Sequence, residues 1–141
     1  MEYIDVVFKG IKKENLDFFI KNIINITNSK VIRSHFYTHE KGDFEYSNEI
    51  DFNDYFSSAQ TCNFLLSNLQ LDKTYYDVLV IITADVDDVD VTVNIEQKQF
   101  NYLKRGLLFG TLKRILQTHS MKAITVSSTC STDPFINIKA T

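Results

Sequence analysis

Polar and apolar positions alternate cleanly along one stretch of the chain, where Val89, Val91, Val93 and Ile95 interleave with Asp90, Thr92, Asn94 and Glu96. A period of two marks a strand with one buried face. The apolar run before it, residues 76–84, is a second strand, and Val86 falls out of phase with the alternating set, so the chain turns between the two. A two-residue turn at Asp87-Asp88 pairs Val86 with Val89, Asp85 with Asp90, Ala84 with Val91 and Ile82 with Val93. That register gathers Val78, Val80, Ile82, Val91, Val93 and Ile95 on one face. The other face carries Leu79, Ile81, Thr83, Asp85, Asp90, Thr92, Asn94 and Glu96.

Other stretches have equally readable periods. Residues 3–9 form a strand with Ile4, Val6 and Phe8 on one side. Leu16, Phe19, Ile20, Ile23, Ile24 and Thr27 recur at three- and four-residue steps, which predicts a helix over residues 14–27. Residues 31–38 and 44–52 read as two strands joined across residues 40–43, where Gly42 supplies the positive φ of a short loop. Phe44, Tyr46, Ile50 and Phe52 share a face of the second one. Asn53 or Asp51 can cap a helix over residues 54–69, striped by Tyr55, Ala59, Cys62, Leu66 and Leu69. A long helix over residues 100–119 has a broad apolar face of Phe100, Leu103, Leu107, Leu108, Leu112, Ile115 and Leu116, with Gly106 and Gly110 four apart. Residues 122–128 form a strand, and residues 135–138 a short one after Pro134.

The order βαββαββαβ predicts an α+β fold: a mixed, mostly antiparallel sheet with helices packed on one face. At 141 residues, 44% of them hydrophobic, residues 1–141 are expected to form a single globular domain. With one proline and four glycines and no low-complexity tract, the composition is not that of a disordered chain. No stretch approaches the roughly 18 apolar residues of a membrane span, and the expected location is the cytoplasm. The two cysteines, Cys62 and Cys130, lack metal-type spacing and read as free thiols in or near the core.

Charge changes this picture more than composition does. The net charge of −3 conceals a split: residues 71–97 carry one basic and seven acidic side chains, and residues 98–141 carry seven basic and one acidic. The hairpin and the long helix are either complements within the fold or two poles of its surface. Asp85, Asp87, Asp88 and Asp90 crowd like charges together at the hairpin, where cross-strand neighbours approach to about 5 Å, and such pairs are destabilising. A solvated tip that discourages edge pairing accounts for them. So does an acidic surface for a basic protein partner. A calcium loop does not, because Val89 stands at its fifth position and Asp90 where its glycine belongs.

Motifs for chemistry are sparse. His35 and His39 are four apart, but on a strand that separation is about 13 Å, too far for one metal ion. His119 ends a helix, where a capping role suits it. A grouping of Cys130, a histidine and Asp133, or a two-histidine ribonuclease site, needs a convergence that sequence spacing does not supply. No glycine-rich phosphate loop joins a strand to a helix. The expectation is therefore no cofactor, no metal and more readily a binding protein than an enzyme. A sequence pI near 5.5 disfavours nucleic acid as a partner, although Tyr102, Lys104, Arg105, Lys113 and Arg114 form a basic helix.

In size, acidic balance, α+β order and want of an active-site motif, the chain resembles the small immunity proteins with which bacteria neutralise polymorphic or contact-dependent toxins. The resemblance implies tight binding to a cognate toxin domain, a basic and nuclease-like protein whose substrate surface is covered. Within that reading Asp85, Asp87, Asp88 and Asp90 mimic phosphates, and exposed aromatics such as Tyr37, Tyr46, Tyr75 or Tyr76 supply anchors, Tyr46 and Tyr76 foremost. Edge-of-core packing is the default role for any one of these tyrosines. The alternatives are a small-ligand-binding or oligomeric module, including a homodimer formed through an apolar patch such as Leu79 and Ile81, or a small hydrolase.

Overall fold

A computed structural model describes residues 2–129 and 134–140 of the chain. Its elements run β1 (Tyr3–Lys12), α1 (Lys13–Phe19), β2 (Val31–Thr38), β3 (Gly42–Phe44), α2 (Phe52–Tyr55), β4 (Thr61–Gln70), β5 (Thr74–Ala84), β6 (Asp88–Glu96), α3 (Arg105–Thr118), β7 (Ala123–Ser128) and β8 (Ile136–Lys139). The strands make one eight-stranded sheet in the order β3-β2-β4-β5-β6-β1-β7-β8. Every ladder in it is antiparallel. The fold is α+β, with one more strand and a much shorter second helix than the hydrophobic pattern predicts.

One face of the sheet holds the core. Ile4, Val6, Phe8, Phe64, Leu66, Val78, Val80, Ile82, Val91, Val93, Ile124 and Val126 are buried there together with Leu16, Phe19 and Ile20 from the α1 segment and Leu108 and Leu112 from α3. The helices thus lie on a single side. In β5 alternation fails at Asp77, whose φ of 53° lets Tyr75 and Val78, three apart, both face the core. Tyr75 keeps its hydroxyl satisfied by donating to Asp72 Oδ1 at 2.7 Å.

Residues 54–69 do not form a helix. Asp51 caps α2 by accepting from the Asn53 and Asp54 amides, but α2 lasts only four residues before β4 begins. Cys62, Phe64 and Leu66 then alternate with Asn63 and Leu65, which suits a strand between two others. Residues 44–52 likewise yield strand only to Phe44. Residues 14–27 start as α1, widen into a π-helical turn at Ile20–Ile24 and stop at Asn25, which adopts the left-handed conformation at φ 60°. Asn53 ties the two helices together: its Oδ1 accepts from the Asp17 amide and its Nδ2 donates to the Glu14 carbonyl.

The hairpin register also differs from expectation. Ala84 pairs with Val89, Thr83 with Asp90 and Ile82 with Val91, a slip of two residues that keeps every side chain on its predicted face. Its effect is electrostatic. Asp85 leaves the ladder for the turn, and Asp90 faces a threonine instead of a carboxylate. The predicted repulsive pair is avoided.

Burial sets the titration of several core groups. It pushes the Cys62 thiol up, so the peptide containing Cys62 should stay unmodified by an alkylating reagent in the native protein and react fully in denaturant. Cys130 lies outside the described residues. Desolvation is the first cause that raises Tyr75, followed by its hydrogen bond to Asp72, and burial also raises Tyr55 and Tyr46. Each tyrosine is held neutral in the fold, so its contribution is complete below the ordinary value of 10.0 and is lost as pH rises above it. A fall in Tm that sets in above about pH 10 is the expected result of thermal melts across the alkaline range.

Candidate partner-binding surface

The acidic tip is built by the β5–β6 turn. The Asp85 amide donates to the Asp88 carbonyl at 2.8 Å, closing a loop in which Asp85 Oδ1 accepts from the Val86 amide at 2.9 Å. Asp85, Val86 and Asp87 project from it, all exposed. Asp88 and Asp90 have structural work instead. Asp90 Oδ1 accepts from the Gly10 amide at 2.9 Å, which satisfies a backbone donor freed by the bulge in β1 between Phe8 and Ile11. Asp88 Oδ2 takes an ion pair at 2.8 Å from Lys122 Nζ.

Gly10 makes that ion pair reachable. It sits at φ 71°, and a Cβ there would stand 2.6 Å from the Lys122 side-chain carbons that cross over it. The hydrogen bond and charge of Asp88, helped by Asp85 and Asp90, hold the Lys122 ammonium above its ordinary value. These residues line a shallow cavity with Lys9, Thr83 and Ala84. Gly10→Ala is expected to destabilise the fold by about 1–2 kcal/mol, since a left-handed conformation is costly for any residue with a Cβ, and to free Lys122 from Asp88. Chemical denaturation and a lysine-reactivity comparison would measure both effects. Sequence reasoning missed Gly10 and Lys122, although an isolated glycine inside a strand pattern is the signal of a bulge.

The six residues expected to bind a partner do not form one patch. Tyr76 is 58% exposed, but it lies at the far end of β5 from the tip, about 26 Å away for eight residues of strand. Its amide and carbonyl are engaged by the Gln99 side chain. Tyr46 is half-buried, its ring tilted on Phe36 and stacked on Phe52, and its amide donates to Ser34 Oγ. Asp85 and Asp87, flanking Val86, are what the tip offers to solvent.

The second sheet face has no helix on it among the described residues. Registered rows run across it from Arg33 through Leu65, Leu79, Asn94 and Asp5 to Ser127, and from His35 through Asn63, Ile81, Thr92 and Val7 to Thr125. Leu79 and Ile81 are half-buried within these rows; the more exposed apolar side chains lie elsewhere. Asn94 Nδ2 donates to Asp5 Oδ1 at 2.7 Å on this face.

The basic side chains of the long helix do not reach the tip. Among the described residues, the cation paired at the hairpin tip is Lys122, whereas Lys104, Arg105, Lys113 and Arg114 have no ion pair. The charge split is therefore two poles. The apolar face of this helix is also narrower than predicted: Leu108 and Leu112 are buried, while Leu103 and Leu107 are exposed. The histidines stay apart, His35 Nε2 lying 2.9 Å from Asp43 Oδ1 on β3, and His119 packing its ring near Phe18 and Phe19. Asp133 of the Cys130 grouping also falls outside the described residues.

Compared with known families, residues 2–137 match the model of the PABL017 Cdi1I immunity protein. The chain belongs to this immunity protein family. No curated protein matches it. A similar fold occurs in the 1.75 Å crystal structure of the toxic C-terminal tip of CdiA from Pseudomonas aeruginosa in complex with immune protein, at a TM-score of 0.71 and 14% identity, covering 97% of this chain and 94% of that one. At that identity the likeness is one of architecture, the eight-stranded sheet and its helices. For an immunity protein, the charged and exposed tip is the feature to explain.

Proposed function

We propose that this immunity protein neutralises its cognate toxin domain by binding it, with the exposed carboxylates Asp85 and Asp87 as the steering pole of the contact. Membership of the immunity family, matched over residues 2–137, carries the reading. The tip supports its electrostatic part, because Asp85 and Asp87 have no lysine or arginine paired to them among the described residues. Carboxylates placed this way favour a basic surface on the toxin, as a nuclease would present to its phosphate-bearing substrate. Asp88 and Asp90 contribute to the field while holding Lys122 and Gly10. Tyr76 and Tyr46 lie too far apart for a shared anchor role at the tip. No helix among the described residues is long and apolar enough to cross a membrane.

Affinity capture from the native host, washed at low and then high salt, tests the reading. One basic protein recovered near stoichiometry, identified by mass spectrometry and toxic when expressed without this chain, is the expected outcome. Recovery of only acidic or substoichiometric proteins would count against it.

A further inference from the structure

Leu103, Val86 and Leu107 are the most exposed of the large hydrophobic side chains described, at 91%, 81% and 62%. Their settings are opposite. Val86 stands between Asp85 and Asp87 on the acidic tip. Leu107 stands on the outer side of α3 and Leu103 on the turn Tyr102–Lys104 just before it, among Lys104, Arg105, Lys113 and Arg114, and residues 98–129 contain no carboxylate side chain.

The helix face has a second peculiarity. Gly106, Leu107 and Gly110 share one face of α3, and Leu103 stands on the turn Tyr102–Lys104 that leads into it. A Cβ added at Gly106 or Gly110 would meet nothing within 4 Å. The fold therefore gains no packing from either glycine, and Gly110 forgoes helix propensity. Bare backbone between exposed leucines leaves room for an apolar knob from another chain.

The same face of a second copy is a poor occupant, since it would set bases against bases with no carboxylate between them. The tip has the complementary chemistry. We propose that the Asp85-Val86-Asp87 tip of one copy docks on the Leu103–Gly110 face of another. Val86 packs against Leu103 and Leu107 over the glycines, and its flanking carboxylates lie among the four bases. The contact is heterologous, leaving one copy with a free helix face and the other with a free tip, so it propagates head to tail. With one apolar knob and two carboxylates set among the bases it is small, hence weak and sensitive to salt. Because it uses the pole assigned above to the toxin, toxin binding dissolves it; that last step alone rests on the proposed function.

Sedimentation equilibrium of the intact protein tests this. The average mass should rise with concentration at low salt and return to that of one chain at high salt. Asp85→Asn with Asp87→Asn abolishes the tip, and Lys113→Gln with Arg114→Gln abolishes the helix face; each variant alone should remain monomeric. Mixed, they should form a one-to-one pair that grows no further, because one supplies the only intact face and the other the only intact tip. Gly110→Leu should raise the Tm and still weaken association, a combination that a purely structural glycine does not give. A wild-type chain that is monomeric throughout, or a mixture that stays monomeric, overturns the proposal. Assembly that persists when toxin is added would instead refute the tip as the toxin's site and leave the self-contact standing.

Discussion

Reversing the two exposed charges of the tip, Asp85→Lys with Asp87→Lys, should slow association with the cognate toxin by about ten-fold or more at low salt. Both side chains are exposed and neither holds another side chain in place, so the Tm should barely move. The difference from wild type should shrink as ionic strength rises and the Debye length falls to about 8 Å. Stopped-flow or surface-capture kinetics across a salt series would show it. An unchanged association rate with an intact fold would remove the tip from the interface. Lys122→Met makes the complementary measurement: it unmasks Asp88, and association should accelerate modestly.

Phe36→Ala should be the most damaging single truncation in the core, costing about 3–5 kcal/mol. Its ring is fully buried, with centroids of Tyr55, Phe44, Phe52, Tyr46 and Phe64 at 5.2, 5.7, 6.1, 6.2 and 6.4 Å. An alanine there leaves a void that five rings on four separate segments cannot close together. Marginal stability of about 5–15 kcal/mol makes that a large share of the total. Denaturant unfolding would measure the loss. A cost below about 1 kcal/mol would mean that the aromatic cluster collapses freely into the space.

Strands with one dry and one wet face were the most legible part of the chain. Residues 3–9 of β1 and most of the β5–β6 hairpin follow their alternation because each side of the pleat meets a different medium. The stretch from Tyr55 to Leu69 misled for a physical reason: Tyr55, Ala59, Cys62, Leu66 and Leu69 fit helical spacing, and Cys62, Phe64 and Leu66 fit strand spacing. Pairing decided between them: β5 folds back on β4 across residues 71–73, and β2 flanks its other side. Side chains around Phe36 tell a related story. Phe44, Tyr46 and Phe52 converge on it as one predicted face would, yet most of the segment that carries them is loop. Apolarity fixed where those rings go; the backbone path was set by α2 and its bonds to α1.

At the surface the sequence was informative about charge and silent about its use. Counting aspartates located the acidic pole. It could not foresee that Asp90 would be committed to Gly10 and Asp88 to Lys122, because both partners are brought in by strands that arrive from opposite ends of the chain. Leu103 and Leu107 looked like core residues for the opposite reason: their spacing suits burial, but α3 sits over the β7–β8 end of the sheet, where Leu108 and Leu112 suffice to meet it.

The position of β1 in the middle of the sheet bears on how quickly a newly synthesised chain becomes useful. Tyr3 pairs with Glu96 and Ile4 with Ser128, so the first strand made has neither of its neighbours until most of the chain has left the ribosome. Pairings of such long sequence separation make for slow, late folding on a scale of milliseconds to seconds. β2 to β6 can meanwhile zip together through neighbours that are close in sequence, leaving the flank of β6 open until β1 returns to it. A chain interrupted before β7 thus leaves β1 flanked on one side alone, by β6.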